Sequence, residues 1–379
     1  MKILLIGEYS NLHNSLKQGL VNNGHNVVLL SNGDGFKNYE ADILIKSSFF
    51  EKKFLKIIAK VVDRLTGISL NEIELFIRTL FKIKSLKKFD VVQLINERAF
   101  KTSPWMEKIL LKNLVKNNKK IFLLACGVDN VSLTYANEKK FRYSILNPYF
   151  ENSSQKKEYK QTLKYLSPRY LRLSKYVKNI VSGIISSDLD YHIPYNGTKK
   201  YLGMIPNPIN IDKLKKPDSL KRDKIYILHA INSKNKIKKG NEIFEKSLSI
   251  VEKKYSDKIK VVRTIDNPYS SHIKNVEDCD ILLDQVYAYD QGYNALEAMA
   301  LGKVVFTGAE VEWAEYYNIK EDIVAINALP DTTKIVDKLS WLIENPIHLE
   351  NISKNARKFI EDHHNYKSIA LKYIANWEK

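Results

Sequence analysis

Short apolar runs punctuate the chain, and what lies between them decides the class of fold. Lys2 to Gly7 reads KILLIG, and GEYSNLHNSLKQGLVNNGHNVVLL continues it as loop, helix-period segment, glycine stop and second apolar run. Apolar runs of this length bounded by turn formers predict buried strands, and a helix between two of them predicts a parallel βαβ unit. The alternation resumes with DVVQLI at 90–95, KIFLLA at 120–125 and IVSGIISS before the loop DLDYHIPYNG, then with KIYIL at 224–228 and runs at 259–263, 280–284 and 303–306. Strands alternating with helices predict an α/β protein. Residues 140–180 are less periodic, with one helix expected over LSPRYLRLSKYVKN. In YLGMIPNPINID, Pro206 and Pro208 bracket Asn207 without flanking periodicity, which marks an extended hinge between two halves near residue 205.

Residues 48–86 carry two basic amphipathic segments. In SFFEKKFLKIIAKVVDRL, Phe50, Phe54, Ile57, Ile58, Val61 and Leu65 recur at helical spacing while Lys52, Lys53, Lys56, Lys60 and Arg64 surround them; ELFIRTLFKIKSLKKF follows. Such a helix either packs its apolar face on a sheet or lies on a membrane surface.

The length of 379 residues suffices for two domains, each with its own core. Sixty-one Lys and Arg against 43 Asp and Glu give a net charge of +18, which favours an anionic partner: nucleic acid, an anionic bilayer or a phosphorylated substrate. The apolar opening is too short for a secretory signal, and no run reaches the roughly 18 apolar residues of a membrane span. Cys126 and Cys279 stand far apart beside expected strands and read as reduced core residues of a cytoplasmic protein.

Chemistry concentrates in CDILLDQVYAYDQGYNALEAMALGKVVFTG, from Cys279 to Gly308: a strand, a polar loop from Tyr287 to Asn294, a surface helix over Ala295 to Leu301 stopped by Gly302, and a strand. Ligands of open parallel sheets bind beyond the carboxyl ends of the strands, where helix N-termini attract phosphate, so this loop is a candidate phosphate site. The first helix, capped by Ser10 or Asn11, is expected to leave its N-terminus open to a substrate anion. Gly7 stands without the GxGxxG fingerprint, which argues against a dinucleotide-dependent dehydrogenase.

The run GYNALEAMALGKVV resembles the nucleotide-binding segment of the GT-B glycosyltransferases, in particular the retaining group called family 4, whose signature is a Glu, seven residues and a second Glu. The resemblance implies that Glu297, at the second position, grips the ribose hydroxyls, with Asp290, Gly292, Tyr293 and Asn294 as further donor-binding residues. The first Glu is missing: Tyr289 stands there, next to Asp290. HAINSKNKIKKGNEIFEKSL resembles the family's basic residue followed by Lys-Gly, which implies that Lys239 and Lys234 neutralise the donor pyrophosphate and that Lys239 stabilises the leaving group. A His common in the family after the strand matching KIFLLA is absent, and Asp129 is the substitute catalytic candidate, with turn formation as its other reading. By the same resemblance Gly7 and His13 belong to an acceptor or phosphate loop, with a capping or surface residue as the other reading of His13, and Arg98, in a loop expected on the same sheet edge as Gly7, is a further candidate to face the cleft.

The fold implied is GT-B: two Rossmann-like domains facing each other across a cleft, at 1–205 for the acceptor and 206–360 for the nucleotide sugar, with 361–379 crossing back as a helix. The activity implied is transfer from a nucleotide diphosphate sugar to a glycan or polyprenyl-diphosphate-linked acceptor, with retention, in bacterial surface polysaccharide assembly. No metal or other cofactor is expected, and an anionic membrane surface is an expected partner. Two other classes compete: a metal-dependent GT-A transferase, suggested by Asp278-Cys279-Asp280 and Asp188-Leu189-Asp190, and a nucleic-acid-binding protein. The basic residues are spread along the chain without a nucleic-acid motif, so nucleic acid is not an expected partner.

Overall fold

The computed structural model describes residues 1–34, 39–66, 69–215 and 223–379. Two all-parallel sheets organise it. The first runs in the order β3-β2-β1-β4-β5-β6-β7, built from β1 (Lys2–Ile6), β2 (Asn26–Ser31), β3 (Ile43–Leu44), β4 (Val91–Leu94), β5 (Lys120–Ala125), β6 (Gly183–Ser186) and β7 (Tyr201–Met204). The second has the order β12-β11-β10-β8-β9, from β8 (Ile225–Ile231), β9 (Ile259–Ile265), β10 (Ile281–Leu283), β11 (Val304–Thr307) and β12 (Ile326–Asn327). This is the GT-B arrangement of two Rossmann-like domains. The central strands are buried on both sides, which is why they read as continuous apolar runs. The short β3 and β12 carry too few residues to show a period, and β7 lies inside the stretch expected to be hinge.

Strand order reverses between β1 and β4 and again between β8 and β10, and each reversal opens a crevice at the carboxyl edge. At the first, Gly7 turns with φ +88°, and a Cβ there would lie 2.2 Å from Ile95 Cγ2. The two chain crossings between domains are zipped together: Ile209 N–H donates to His364 O (2.7 Å) and Tyr366 N–H to Ile209 O (3.1 Å). Helix Pro346–His363 ends there, and helix Tyr366–Glu378 packs on helix Leu12–Asn22 of the first domain, where Trp377 Nε1 donates to Gln93 Oε1 (3.1 Å).

Two local expectations are corrected, and one alternative left open by the sequence is decided. DLDYHIPYNG is not all loop: Leu189–Tyr195 is a helix, because Asp188 caps it by accepting the Asp190 N–H. The first helix is capped by neither Ser10 nor Asn11. Glu8 reaches forward and accepts the N–H groups of His13 (3.3 Å) and Asn14 (2.9 Å), so a buried carboxyl already occupies that N-terminus. Helix Lys53–Thr66 does not pack its apolar stripe on the sheet: Phe54 is 75% and Leu65 79% exposed, with Ile57, Ile58 and Val61 exposed between them.

Candidate active site

Lys239 and Gly240 follow the turn after β8. Gly240 takes φ +71°, and a Cβ would meet Val286 Cγ2 at 2.2 Å, so only glycine lets this turn lie on the loop after β10. That approach carries Lys239 Nζ to Asp284 Oδ1 (2.7 Å), a buried carboxylate at the end of β10. Asn294 Nδ2 donates to the same oxygen (3.0 Å), and His272 Nε2 lies 2.5 Å from Asn294 Oδ1. Helix Tyr293–Ala300 begins behind Gly292 with no side chain capping it, so its first-turn N–H groups remain available to an anion.

These groups line a pocket of about 290 Å³ between the domains. Glu297 lies in it one helical turn past Asn294, on a helix that is buried on every side rather than a surface helix; the residue is 6% exposed and accepts the Tyr269 hydroxyl (2.8 Å). Thr264, Asp266 and Asn267 at the end of β9 form the far wall. The first domain contributes Ser10 and Tyr39, whose ring lies 6.0 Å from that of Tyr269. Lys239, Gly292, Tyr293, Asn294 and Glu297 are thus brought together.

The other candidates lie elsewhere. Lys234 is exposed and absent from the pocket wall, where Asn232 and Asn235 stand instead. The Tyr293 hydroxyl bridges the domains, 2.7 Å from Ser15 Oγ and donating to Pro208 O (2.8 Å), so it acts as a strut. Asp290 accepts the N–H of Leu189 (3.0 Å) and of Gln291 (2.7 Å) and faces a second cavity. Asp129 caps helix Asn130–Asn137 through the Ser132 N–H (2.7 Å) and accepts the Tyr195 hydroxyl, which makes it a buried structural carboxyl. Arg98 donates to Glu72 Oε1 (2.7 Å) and to Thr102 O, so its charge is neutralised away from the pocket. His13 is fully buried, Nδ1 2.8 Å from Gly7 O, and burial holds it neutral with its pKa lowered to about 3.

The second cavity, about 210 Å³, shares Gln285 and Gly292 with the first and is lined by Asp188, Asp190, Asp290, Tyr191 and Ser132. Asp190 accepts the N–H groups of Tyr289 (3.1 Å) and Asp290 (3.3 Å) across the cleft. Of the DxD carboxyls, three hold backbone: Asp188 caps a helix, Asp190 takes these two N–H groups, and Asp280 accepts the Tyr226 N–H. Burial raises Asp190 to about 7, helped by the nearby Asp290 charge, and Asp290 to about 6. Gln291 Oε1 is buried there without a partner.

Tyr289, at the missing Glu position, turns away from the pocket. Its hydroxyl accepts the Arg142 N–H (2.7 Å), and the Arg142 guanidinium sits 4.8 Å from its ring while pairing with Glu310 and Glu312 (both 2.6 Å). Sequence reasoning missed this latch, together with Glu8, Asp284, Tyr269 and His272. Asp284 alone carried a local signal, as the acidic residue that closes an apolar strand.

Residues 231–375 match the family described as Glycosyl transferase-like. No curated protein matches the chain in sequence. Among solved structures, sucrose-phosphate synthase from Thermosynechococcus elongatus aligns over all of this chain and 98% of its own at 12% identity and TM-score 0.59. Anabaena HepE in complex with UDP and glucose aligns over 100% and 99% at 11% identity and TM-score 0.58. A Listeria monocytogenes protein described as a UDP-N-acetylglucosamine 2-epimerase aligns over 99% and 95% at 9% identity and TM-score 0.52. These likenesses show the fold.

Proposed function

Because the chain is a GT-B protein whose second half is a glycosyl transferase-like domain, we propose that it transfers a sugar, with retention, from a nucleotide diphosphate to a glycan or polyprenyl-diphosphate-linked acceptor. The observation that carries this reading is the interdomain pocket that joins Lys239, the open N-terminus of helix Tyr293–Ala300 and Glu297 at the β8/β10 reversal. Glu297 accepts the ribose hydroxyls once the Tyr269 hydroxyl releases its carboxylate. The diphosphate lies against the helix N-terminus, and Lys239 swings from Asp284 to the departing charge. Lysine acts here as a point charge, without the bidentate grip of an arginine. The family match favours transfer over epimerisation, since an epimerase shares the fold alone.

The sugar and the acceptor hydroxyl fill the second cavity, where Asp188, Asp190, Asp290 and Gln291 present acceptors to hydroxyl donors. The exposed apolar face of helix Lys53–Thr66, surrounded by lysines, supports attachment to an anionic membrane and hence a lipid-linked acceptor in surface polysaccharide assembly. No described helix is long and apolar enough to cross a membrane.

A thermal-shift screen against UDP, GDP, CMP, ADP and dTDP, with and without divalent metal, tests the donor, because a ligand of the folded state raises its stability. We expect one nucleotide diphosphate to stabilise the protein, and turnover of its sugar to persist in EDTA. Stabilisation by none of them overturns the reading.

A further inference from the structure

The second cavity of the cleft, about 210 Å³, gathers acidic groups with no basic group beside them. Asp188 and Asp190 reach it from the start of helix Leu189–Tyr195 in the first domain, and Asp290 from the loop after β10 in the second. Backbone bonds hold all three. Asp188 accepts the Asp190 N–H (3.1 Å), Asp190 accepts the N–H groups of Tyr289 and Asp290, and Asp290 returns the bond by accepting the Leu189 N–H (3.0 Å). Among the described residues no Lys, Arg or His lines the cavity, and none of the three carboxyls forms an ion pair. In a chain of net charge +18 this spot reverses the overall balance. Burial, with repulsion from Asp190 and Asp290, pushes Asp188 well above the usual carboxylate range, and burial lifts Asp190 to about 7 and Asp290 to about 6. Protons here stand in for a counter-ion.

Gln291 supplies an independent sign of a ligand. It is 1% exposed and lines the same cavity. Its Nε2 donates to Gly308 O (2.7 Å), which fixes the orientation of the amide, since a carbonyl accepts only from the N–H end. Its Oε1 is left without a partner, and a buried amide oxygen calls for a donor. The polar wall is therefore dominated by acceptors. Phe141, Tyr191 and Tyr287 add aromatic rings, whose faces attract a cation.

Hydroxyl groups alone can donate to this wall, but they leave its charge uncompensated. An ammonium answers both needs: it brings three donors and no acceptor, and its charge favours the ionised carboxyls. A carboxylate or phosphate on the ligand meets repulsion instead. The cavity joins the nucleotide pocket at Gln285 and Gly292, so its occupant lies next to the diphosphate. We infer that the sugar held in this cavity is an amino sugar whose free ammonium sits among Asp188, Asp190 and Asp290. The preference for a cation stands on the cavity itself; that a sugar bears the cation rests on the transfer reading above.

The test titrates glucosamine, N-acetylglucosamine, glucose and glucuronic acid into the full chain at about pH 6.5, with and without saturating UDP. Calorimetry in two buffers of different ionisation enthalpy reads both affinity and protons released. We expect glucosamine to bind about tenfold or more tightly than glucose or N-acetylglucosamine, which keep the ring without the charge, and glucuronic acid not to bind. Only glucosamine should release protons, because its ammonium ionises carboxyls that were protonated before. Asp188→Asn and Asp190→Asn each keep an oxygen for the N–H groups described above and remove one charge. Each should abolish the preference for glucosamine over glucose. Should either variant melt early, the ranking of the four sugars and the proton count on the wild type decide alone. Equal binding of glucosamine and glucose, binding of none of the four, or a preference that survives in both folded variants overturns the inference. UDP binding without a glucosamine preference removes the cation site and leaves the transfer reading standing. A glucosamine preference in a protein that ignores UDP does the reverse.

Discussion

The interdomain pocket proposed for the nucleotide and a basic groove of the first domain, at the starts of helices Leu70–Ile83, Pro104–Asn117 and Pro168–Ile180, both take in helix N-termini, yet they hold charge differently. In the pocket the one lysine is already paired with Asp284, and Glu297 and Asp266 add negative charge. In the groove, among the described residues, Lys108, Lys164, Arg169 and Arg172 form no ion pair. The net charge of +18 thus does not fall where the nucleotide is proposed to bind. A pocket that must release a diphosphate is suited by a cation with an alternative partner, since a pair formed only as charge develops lowers the barrier more than it deepens binding. A face that meets a charged surface gains from unpaired lysines directly.

The comparison breaks most visibly at the membrane. Changing Lys52, Lys53, Lys56 and Lys60 together to Gln removes roughly 1 kcal/mol of attraction per lysine, on the order of a thousandfold in all. Co-sedimentation with anionic vesicles should disappear while transfer to a soluble acceptor analogue continues. A variant that sediments like the wild type would reduce this helix to an ordinary basic surface.

Lys239→Ala tests the other side. Turnover should fall about 10²–10³-fold, the usual cost of one stabilising donor, with nucleotide affinity changed less. The substitution also leaves the buried Asp284 without its cation, so thermal stability should drop. Adding Asp284→Asn should restore the melting temperature and not the rate. Recovery of the rate would show that the lysine serves structure only.

Glu297→Ala should weaken nucleotide binding by about 1.5 to 3 kcal/mol, the value of a hydrogen bond to a charged group. It leaves the Tyr269 hydroxyl without its acceptor, so Glu297→Gln is the sharper variant. Equal affinity of wild type and both variants in calorimetry would remove the residue from the ribose site.

The smallest effect concerns Glu8. Burial, opposed by hydrogen bonds from Asn14 and His13, raises its pKa from 4.5 to about 8. The folded state therefore holds this proton more tightly than the unfolded chain, and the associated stability is complete below pH 4.5 and is lost as pH rises through about 8. Between about pH 5 and pH 8 the wild type should lose more stability than Glu8→Gln in denaturant titrations. Parallel slopes would mean that Glu8 ionises normally.

What was legible in the sequence was whatever a short window contains. Buried parallel strands read as apolar runs because both faces are covered. Lys239-Gly240 and the segment from Gly292 to Glu297 could be placed because a tight turn and a helix start impose local spacing. Residues whose partners lie far along the chain were not legible. Asp129 and Arg98 look the same in sequence whether they face a ligand or a structural partner, and only the approach of Tyr195 and Glu72 decides between these roles. The Tyr289–Arg142 latch and the Tyr293 strut span 147 and 278 positions, beyond any local pattern. The amphipathic stripe of 53–66 was plain from spacing alone, but that stripe is identical for a packed helix and an uncovered one. Which it would be depended on whether another element closed over it, and that is a property of the folded chain.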